Sequence, residues 1–342
     1  MLPLLPSPVR VAVAGAGYFA QFHHEAWTRI EDADFVAVAD YDIDKVRAVG
    51  TKAYTDIAEM LDAAQPDLID IATPPETHLD VIRIAIEKGV RAIICQKPFC
   101  GNLQVAQEAC RIAAVSGTPL VVHENFRFQP WYRTIRQRMD AGDIGDVLQV
   151  TFRLRPGDGQ GADAYLSRQP YFQKMPKFLI HETGVHWVDT FRFLLGEPVN
   201  VYADLRRLNP QISGEDAGYF VFGYENGIRA MFDGNRLLDH VAENRRLTMG
   251  ECAIEGTLGE ILLSGDGVVS VRRHGENVVC DTISAQPSSG FGGDCVYALQ
   301  KHVIDALTKG TKVENDAVSY LRNMEIVAAL YDSSEQGRRI KV

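Results

Sequence analysis

The chain has 342 residues, 46% hydrophobic and 23% charged, with a formal net charge of −10. That length predicts two domains of about 150 residues with ample core, and the negative charge argues against nucleic acid or an anionic membrane as partner. Six cysteines (95, 100, 110, 252, 280, 295) show no CxxC pair and no metal-ligand spacing, so they read as reduced, mostly buried thiols, with no disulfide frame and no metal site.

The apolar start, Met1 to Pro6, is too short and too proline-broken for a signal segment, and no run reaches the roughly 18 apolar residues of a membrane span. The expected location is the cytoplasm. The first predicted strand, Val9–Ala14, runs straight into Gly15-Ala16-Gly17-Tyr18-Phe19-Ala20. A glycine at 15 permits a sharp turn, and a glycine at 17 leaves the backbone open to a pyrophosphate. A small residue at 20 lets the following helix pack close on the strand. Free N–H groups of that helix's first turn then face the phosphates. The second strand, Phe35–Ala39, ends on Asp40, twenty residues after Ala20, where a carboxylate accepts ribose hydroxyls and repels a 2′-phosphate. Tyr41 adds no cation, so NAD is expected rather than NADP. The alternative is an ordinary glycine turn with a solvated Asp.

A polar helix from Asp42 to Val49 follows, and then a third strand, Leu68–Ala72, stopped by Thr73-Pro74-Pro75. Glu76 to Lys88 is amphipathic and closed by Gly89; Arg91–Cys95 is a fourth strand. Asn102 caps a helix reaching Ser116, and Pro119–His123 is a fifth strand. Strands alternating with helices predict a doubly wound parallel sheet, with the loops after residues 14, 40, 72, 95 and 123 lining one crevice.

The texture changes near residue 146. Segments 147–155, 199–208, 218–224, 228–235, 247–255, 260–264 and 268–273 are strand-like and separated by turn residues, which predicts a large, open, mostly antiparallel sheet. Helices near 179–195, 292–308 and 316–335 would cover one face, and the other face suits an oligomer interface. The division expected is a Rossmann domain over 1–126 and an α+β domain over 127–342. The glycine-rich stretch 156–177, with Tyr165, reads as a loop over the pocket or as a disordered excursion. Ser288 to Gly293 looks like a flexible joint.

Two groups of residues suit chemistry. Lys97, in Gln96-Lys97-Pro98 after the fourth strand, projects into the crevice, where an amine can hold a hydroxyl and stabilise an alkoxide; a surface lysine is the alternative. A cis Lys97–Pro98 bond fits this position. In the second group, Glu182 and His186 are four apart and share a helix face, with Asp189 on a similar side. A carboxylate beside an imidazole makes a proton relay, against the alternative of a capped helix with a core histidine. His181 lines the pocket at most. Asn125 and Arg127 either contact ligand or secure the domain junction. Trp131 and Tyr132 read as core, and His23, His24 and His78 as structural, with His78 near the nicotinamide end.

These motifs, in this order, resemble the Gfo/Idh/MocA oxidoreductase family, which includes inositol dehydrogenases and glucose–fructose oxidoreductase. The resemblance covers nearly the whole chain: Gly15 to Ala20, Asp40, Ala72-Thr73-Pro74-Pro75 with His78, Lys97-Pro98, Asn125 to Phe128, Ile144-Gly145, and Glu182, Gly184, His186 and Asp189. It implies an NAD(P)-binding Rossmann domain joined to a domain whose sheet makes a homodimer or homotetramer. It also implies oxidation of a secondary hydroxyl of a sugar or cyclic polyol, or the reverse. On matching positions Lys97, His186 and Glu182 are catalytic. The cofactor set is Gly15, Ala16, Gly17, Tyr18, Phe19, Ala20, Asp40, Tyr41, Ala72, Thr73, Pro74, His78, Gln96 and Lys97. The substrate set is Asn125, Arg127, Tyr165, His181, Glu182 and His186.

Two positions depart from the family pattern: Gln96 stands where Glu is usual, and Glu182 where many members have Asp. A neutral amide at 96 still bonds a ribose but cannot tune Lys97 by charge. Two other outcomes stay open, glycoside cleavage by transient oxidation and dinucleotide sensing without turnover.

Overall fold

Short apolar runs alternating with side-chain-capped helices build the first part of the molecule. The computed structural model describes residues 2–277, 279, 281–284 (backbone only) and 290–342. The chain divides into two units: residues up to Asn125 together with Val296–Arg322, and Phe126–Cys295 together with Asn323–Val342.

The first unit contains β1 (Val9–Ala14), α1 (Ala20–Arg29), β2 (Ala33–Ala39), α2 (Ile43–Ala48), β3 (Lys52–Tyr54) and α3 (Ile57–Ala64). It continues with β4 (Leu68–Ile71), α4 (His78–Glu87), β5 (Ala92–Gln96), α5 (Leu103–Ser116) and β6 (Leu120–His123). Asp42, Asp56 and Asn102 accept backbone N–H groups at the starts of α2, α3 and α5. Among the described residues the strands form a six-stranded parallel sheet in the order β3-β2-β1-β4-β5-β6. Val11, Val13, Ile69, Ile71, Ile93 and Ile94 show no exposure, as strands covered on both faces require. Five strands were expected here. The sixth, β3, is three residues long, which is too short to carry a periodic signal.

The second unit contains α6 (Pro130–Asp140), β7 (Val147–Leu154), α7 (Val185–Leu195), β8 (Asn200–Arg206), β9 (Ala217–Gly223) and β10 (Arg229–Asn235). Next come β11 (Gly250–Gly256), β12 (Gly259–Leu263), β13 (Val268–Arg273) and β14 (Asp281–Ser284). After α8 (Cys295–Lys309) and α9 (Ala317–Gln336), the chain ends in β15 (Ile340–Lys341). The described strands pair as β14-β13-β12-β11-β7-β10-β9-β8-β15, antiparallel except for β7 against β10. On one face Phe152, Phe220, Phe222 and Phe232 are fully buried. Trp187 of α7 stacks on Phe152 at 4.2 Å and donates to the Tyr132 hydroxyl at 2.9 Å. Trp131 and Tyr132 are therefore core, each 1% exposed.

Three expectations change. Residues 296–322 belong to the first unit and not to the second, so a single division near 126 does not describe the chain. Leu5 N–H donates to the Leu307 carbonyl at 2.7 Å, and Gln300 reaches Asp70 at 3.2 Å; an apolar helix face does not itself name the sheet it will cover. Secondly, of the two readings of 156–177 the disordered excursion is set aside: Ala164, Tyr165 and Phe172 pack with Phe178 and Ile212 in a buried cluster. Thirdly, residues 179–184 form a π-type turn before α7 rather than its first α-helical turn. Cys280 and the Ser288-Ser289 part of the expected joint lie outside the described residues. No described helix is long and apolar enough to cross a membrane.

Candidate active site

The carboxyl ends of the parallel strands gather the first-unit candidates. Strand order reverses at β1, which pairs with β2 on one side and β4 on the other, and ligands of open α/β sheets bind at that switch point. Gly15 sits there at φ +113°, and a Cβ on it would lie 2.6 Å from the Ala72 carbonyl oxygen. The turns after β1 and β4 thus touch backbone to backbone. Gly17 differs: among the described residues a Cβ there would meet nothing within 4 Å. Ala20 is buried, and α1 starts without a side-chain cap. An open backbone and an uncapped helix start are what a pyrophosphate needs.

Asp40 accepts the Ala16 N–H at 2.7 Å and the Asp42 N–H at 3.0 Å, holding the glycine turn while each oxygen keeps a lone pair for a ribose hydroxyl. Tyr41 is exposed. A cation does stand near it, Lys45 at 5.7 Å from the ring centroid, but Asp42 pairs with Lys45 at 3.1 Å. His24 bonds the Gly15 carbonyl at 3.0 Å, and burial, reinforced by His23, lowers its pKa to about 4. His78 donates from Nε2 to the Thr73 carbonyl at 2.9 Å, and its Nδ1 accepts the Cys100 N–H at 3.3 Å. It ties the turn after β4, with Thr73 and Pro74, to the segment after β5. Burial lowers its pKa to about 4, which keeps it neutral. Cys95 and Cys100 are buried, and burial pushes both thiols up, Cys100 to about 12, so they serve as packing.

Lys97 follows β5 through a cis peptide bond to Pro98. The Gln96 carbonyl oxygen Oε1 accepts the Lys97 N–H at 2.6 Å, and the Gln96 amide nitrogen lies 2.9 Å from His23 Nε2. His23 Nδ1 in turn lies 2.7 Å from Asp70 Oδ2. His23, read from the sequence as structural, is buried with no exposure, and Asp70, which the sequence reading did not single out, is its buried partner. The available signal was a carboxylate in the middle of an apolar strand, Leu68-Ile69-Asp70-Ile71. Asn125, at the end of the first unit's N-terminal stretch, is buried.

In the second unit, His186 lies flat on Phe126, rings 3.7 Å apart and 3° from parallel, with 6% exposure. Glu182 precedes it in the π-type turn and accepts the Thr183 hydroxyl at 2.6 Å. Arg236 donates to that hydroxyl at 2.6 Å, so a buried guanidinium orients Glu182 through Thr183. His181 is half-buried, and its N–H donates to the Tyr331 hydroxyl at 3.1 Å. Two substrate candidates are internal ties instead. Arg127 makes two 2.7 Å bonds to the carboxylate of Asp189, which also accepts from Asn323 at 2.8 Å. Tyr165 is 5% exposed and accepts from Arg236 at 2.8 Å. Among the described residues no group of three or more His, Cys, Asp or Glu is placed to hold a metal ion.

Residues 9–124 match the profile of an oxidoreductase family with an NAD-binding Rossmann fold, and residues 132–262 match a GFO/IDH/MocA C-terminal domain. The chain is 30% identical to a D-apiose dehydrogenase of Paraburkholderia graminis, over 97% of this chain and 89% of the relative. It is 28% identical to an inositol 2-dehydrogenase of Rhizobium meliloti, over 77% and 78%. Among solved structures, an oxidoreductase from Agrobacterium radiobacter in complex with NAD+, L-tartaric acid and magnesium superposes with a TM-score of 0.88 at 28% identity, covering 98% of both chains.

Proposed function

The chain belongs to the Gfo/Idh/MocA oxidoreductase family, and from that premise we propose an NAD-dependent dehydrogenase that oxidises a secondary hydroxyl of a sugar or cyclic polyol, or reduces the matching ketone. The observation that carries the reading is the open backbone at Gly17 beside Asp40 and the uncapped start of α1, a cradle shaped for a dinucleotide. The names of the relatives, D-apiose dehydrogenase and inositol 2-dehydrogenase, support a polyhydroxylated substrate.

When bound, NAD supplies the hydride acceptor at nicotinamide C4. The protein's own groups do the rest. Lys97 holds the reacting hydroxyl oxygen and stabilises negative charge as it develops. His186 accepts the hydroxyl proton, its ring plane set by Phe126. Glu182, oriented by Thr183, holds a neighbouring hydroxyl or His186 itself. We propose further that the chain works in the cytoplasm as a homodimer or homotetramer through the second sheet, where Tyr202, Tyr219, Val221 and Met231 are half-buried; light scattering checks the assembly.

The test is a panel of aldoses and inositols, including D-apiose and myo-inositol, read as NADH absorbance with NAD and NADP in parallel. Lys97→Ala and His186→Ala are expected to lower kcat/KM by about 10²–10⁴-fold, the usual contribution of a positioned acid–base group. Undiminished turnover in either folded variant overturns the assignment.

A further inference from the structure

We propose that Gln96 and His23 are positioning residues for Lys97, links in a buried hydrogen-bond chain that starts on Asp70, ends on the Lys97 backbone amide and requires an amide at position 96. The proposal rests on the reading of Lys97 as the catalytic amine.

The direction of the chain follows from donors and acceptors alone. A backbone N–H only donates, so the Gln96 atom 2.6 Å from Lys97 N is the carbonyl oxygen. That turns the amide NH2 toward His23 Nε2, 2.9 Å away. An NH2 group also only donates, so Nε2 carries a lone pair and the ring proton is on Nδ1. Nδ1 lies 2.7 Å from Asp70 Oδ2, which also receives Trp27 Nε1–H at 2.8 Å and the Gln300 amide at 3.2 Å. Three donors converging on one oxygen mark an anion.

The chain is sealed. His23 and Asp70 have no exposure and Gln96 has 8%. The titratable groups facing His23 are Asp70 on β4, His123 on β6 and His24 beside it on α1; the Phe19 ring just before α1 lies 5.7 Å away, and the Gln300 amide of α8 reaches the His23 carbonyl at 3.5 Å. The His123 ring lies 4.1 Å from the His23 ring, tilted by 35°, and among the described residues neither of its ring nitrogens has a hydrogen-bond partner.

A glutamate at 96 would keep the acceptor for Lys97 but set its second oxygen against the Nε2 lone pair. A proton must then enter between them, leaving an imidazolium between two carboxylates. The amide therefore makes the anchor independent of proton uptake, and Gln96→Glu makes it proton-dependent.

The whole protein, labelled with 15N in its imidazoles, tests this by long-range 1H–15N spectra, the His23 signals being identified by their loss in His23→Asn. The wild type is expected to show one protonated and one bare nitrogen on His23 near about pH 7, and Gln96→Glu to show both protonated. Gln96→Met, which removes both links at similar volume, is expected to speed hydrogen exchange at the Lys97 amide by about tenfold or more. On any panel substrate turned over, it is expected to lower kcat. A wild-type His23 protonated on Nε2, or Lys97 exchange unchanged in Gln96→Met, overturns the anchor. If Gln96→Met does not fold, the Gln96→Glu spectrum decides alone. A correct His23 spectrum with a fully active Lys97→Ala would instead remove the catalytic reading and leave the anchor standing.

Discussion

Two glycines of one turn answer to different partners, and substitution separates them. Gly15 has φ +113° and lacks room for a Cβ beside the Ala72 carbonyl, so its need is internal. Gly15→Ala is expected to cost about 1–3 kcal/mol of stability, the usual cost of a strained backbone position, and to weaken NAD binding with it. Gly17 has free space in the protein itself, so Gly17→Ala should leave the melting temperature nearly unchanged while lowering NAD affinity by about tenfold or more, about 1.4 kcal/mol. Thermal melts paired with NAD titrations decide; equal losses of stability in both variants would refute the distinction. Both glycines were legible in the sequence because the motif sits at a strand end, although the division of labour between them needed coordinates. Asp40 was legible too, whereas its bond to Ala16 N–H was not, since it joins residues 24 apart.

At the scale of an element, the segment before α7 shows where sequence reading fails. The spacing of Glu182 and His186 suggested one face of a regular helix, but residues 179–184 take the wider π-type turn. The cause is remote. The Glu215 carboxylate accepts the N–H groups of Phe178 and Ile180, each at 3.1 Å, and its backbone carbonyl accepts Leu179 N–H at 2.9 Å. Tyr331 accepts His181 N–H at 3.1 Å and donates to Glu215 at 2.5 Å. No local pattern announces a cap contributed from 35 residues away. Glu215→Ala leaves these donors without acceptors and is expected to cost about 1–3 kcal/mol, with amide exchange at 178–181 faster than in α7. Unchanged exchange there would show that the turn holds itself. Arg127 and Asp189 teach the same lesson, since their pairing spans 62 residues and turns a suspected ligand contact into an internal tie.

Across the whole molecule, both sheets were legible because each carries its own rhythm: apolar runs between helices in one, alternation between tight turns in the other. The destination of residues 296–322 was not, because burial of an apolar helix face does not identify the surface that covers it. What the chain does collectively in acid follows from its buried imidazoles. Burial is the largest cause lowering His24 and His78 to about 4 and His123 to about 3, from 6.5. A group held neutral in the folded state is protonated first in the unfolded chain, so unfolding takes up protons between 6.5 and about 4. Stability contributed by these histidines is therefore whole above pH 6.5 and declines as pH falls through that window. Each pH unit costs about 1.4 kcal/mol per fully buried imidazole. Asp70 and Asp158, held below 3.8, add their losses only at lower pH. His123 offers the cleanest check, since among the described residues neither ring nitrogen has a partner to lose. His123→Leu is expected to be at least as stable as wild type near about pH 7 and to lose less stability by about pH 5, which urea midpoints at the two pH values will read. Parallel acid losses in wild type and variant would mean that His123 is protonated in the folded protein, contrary to its burial.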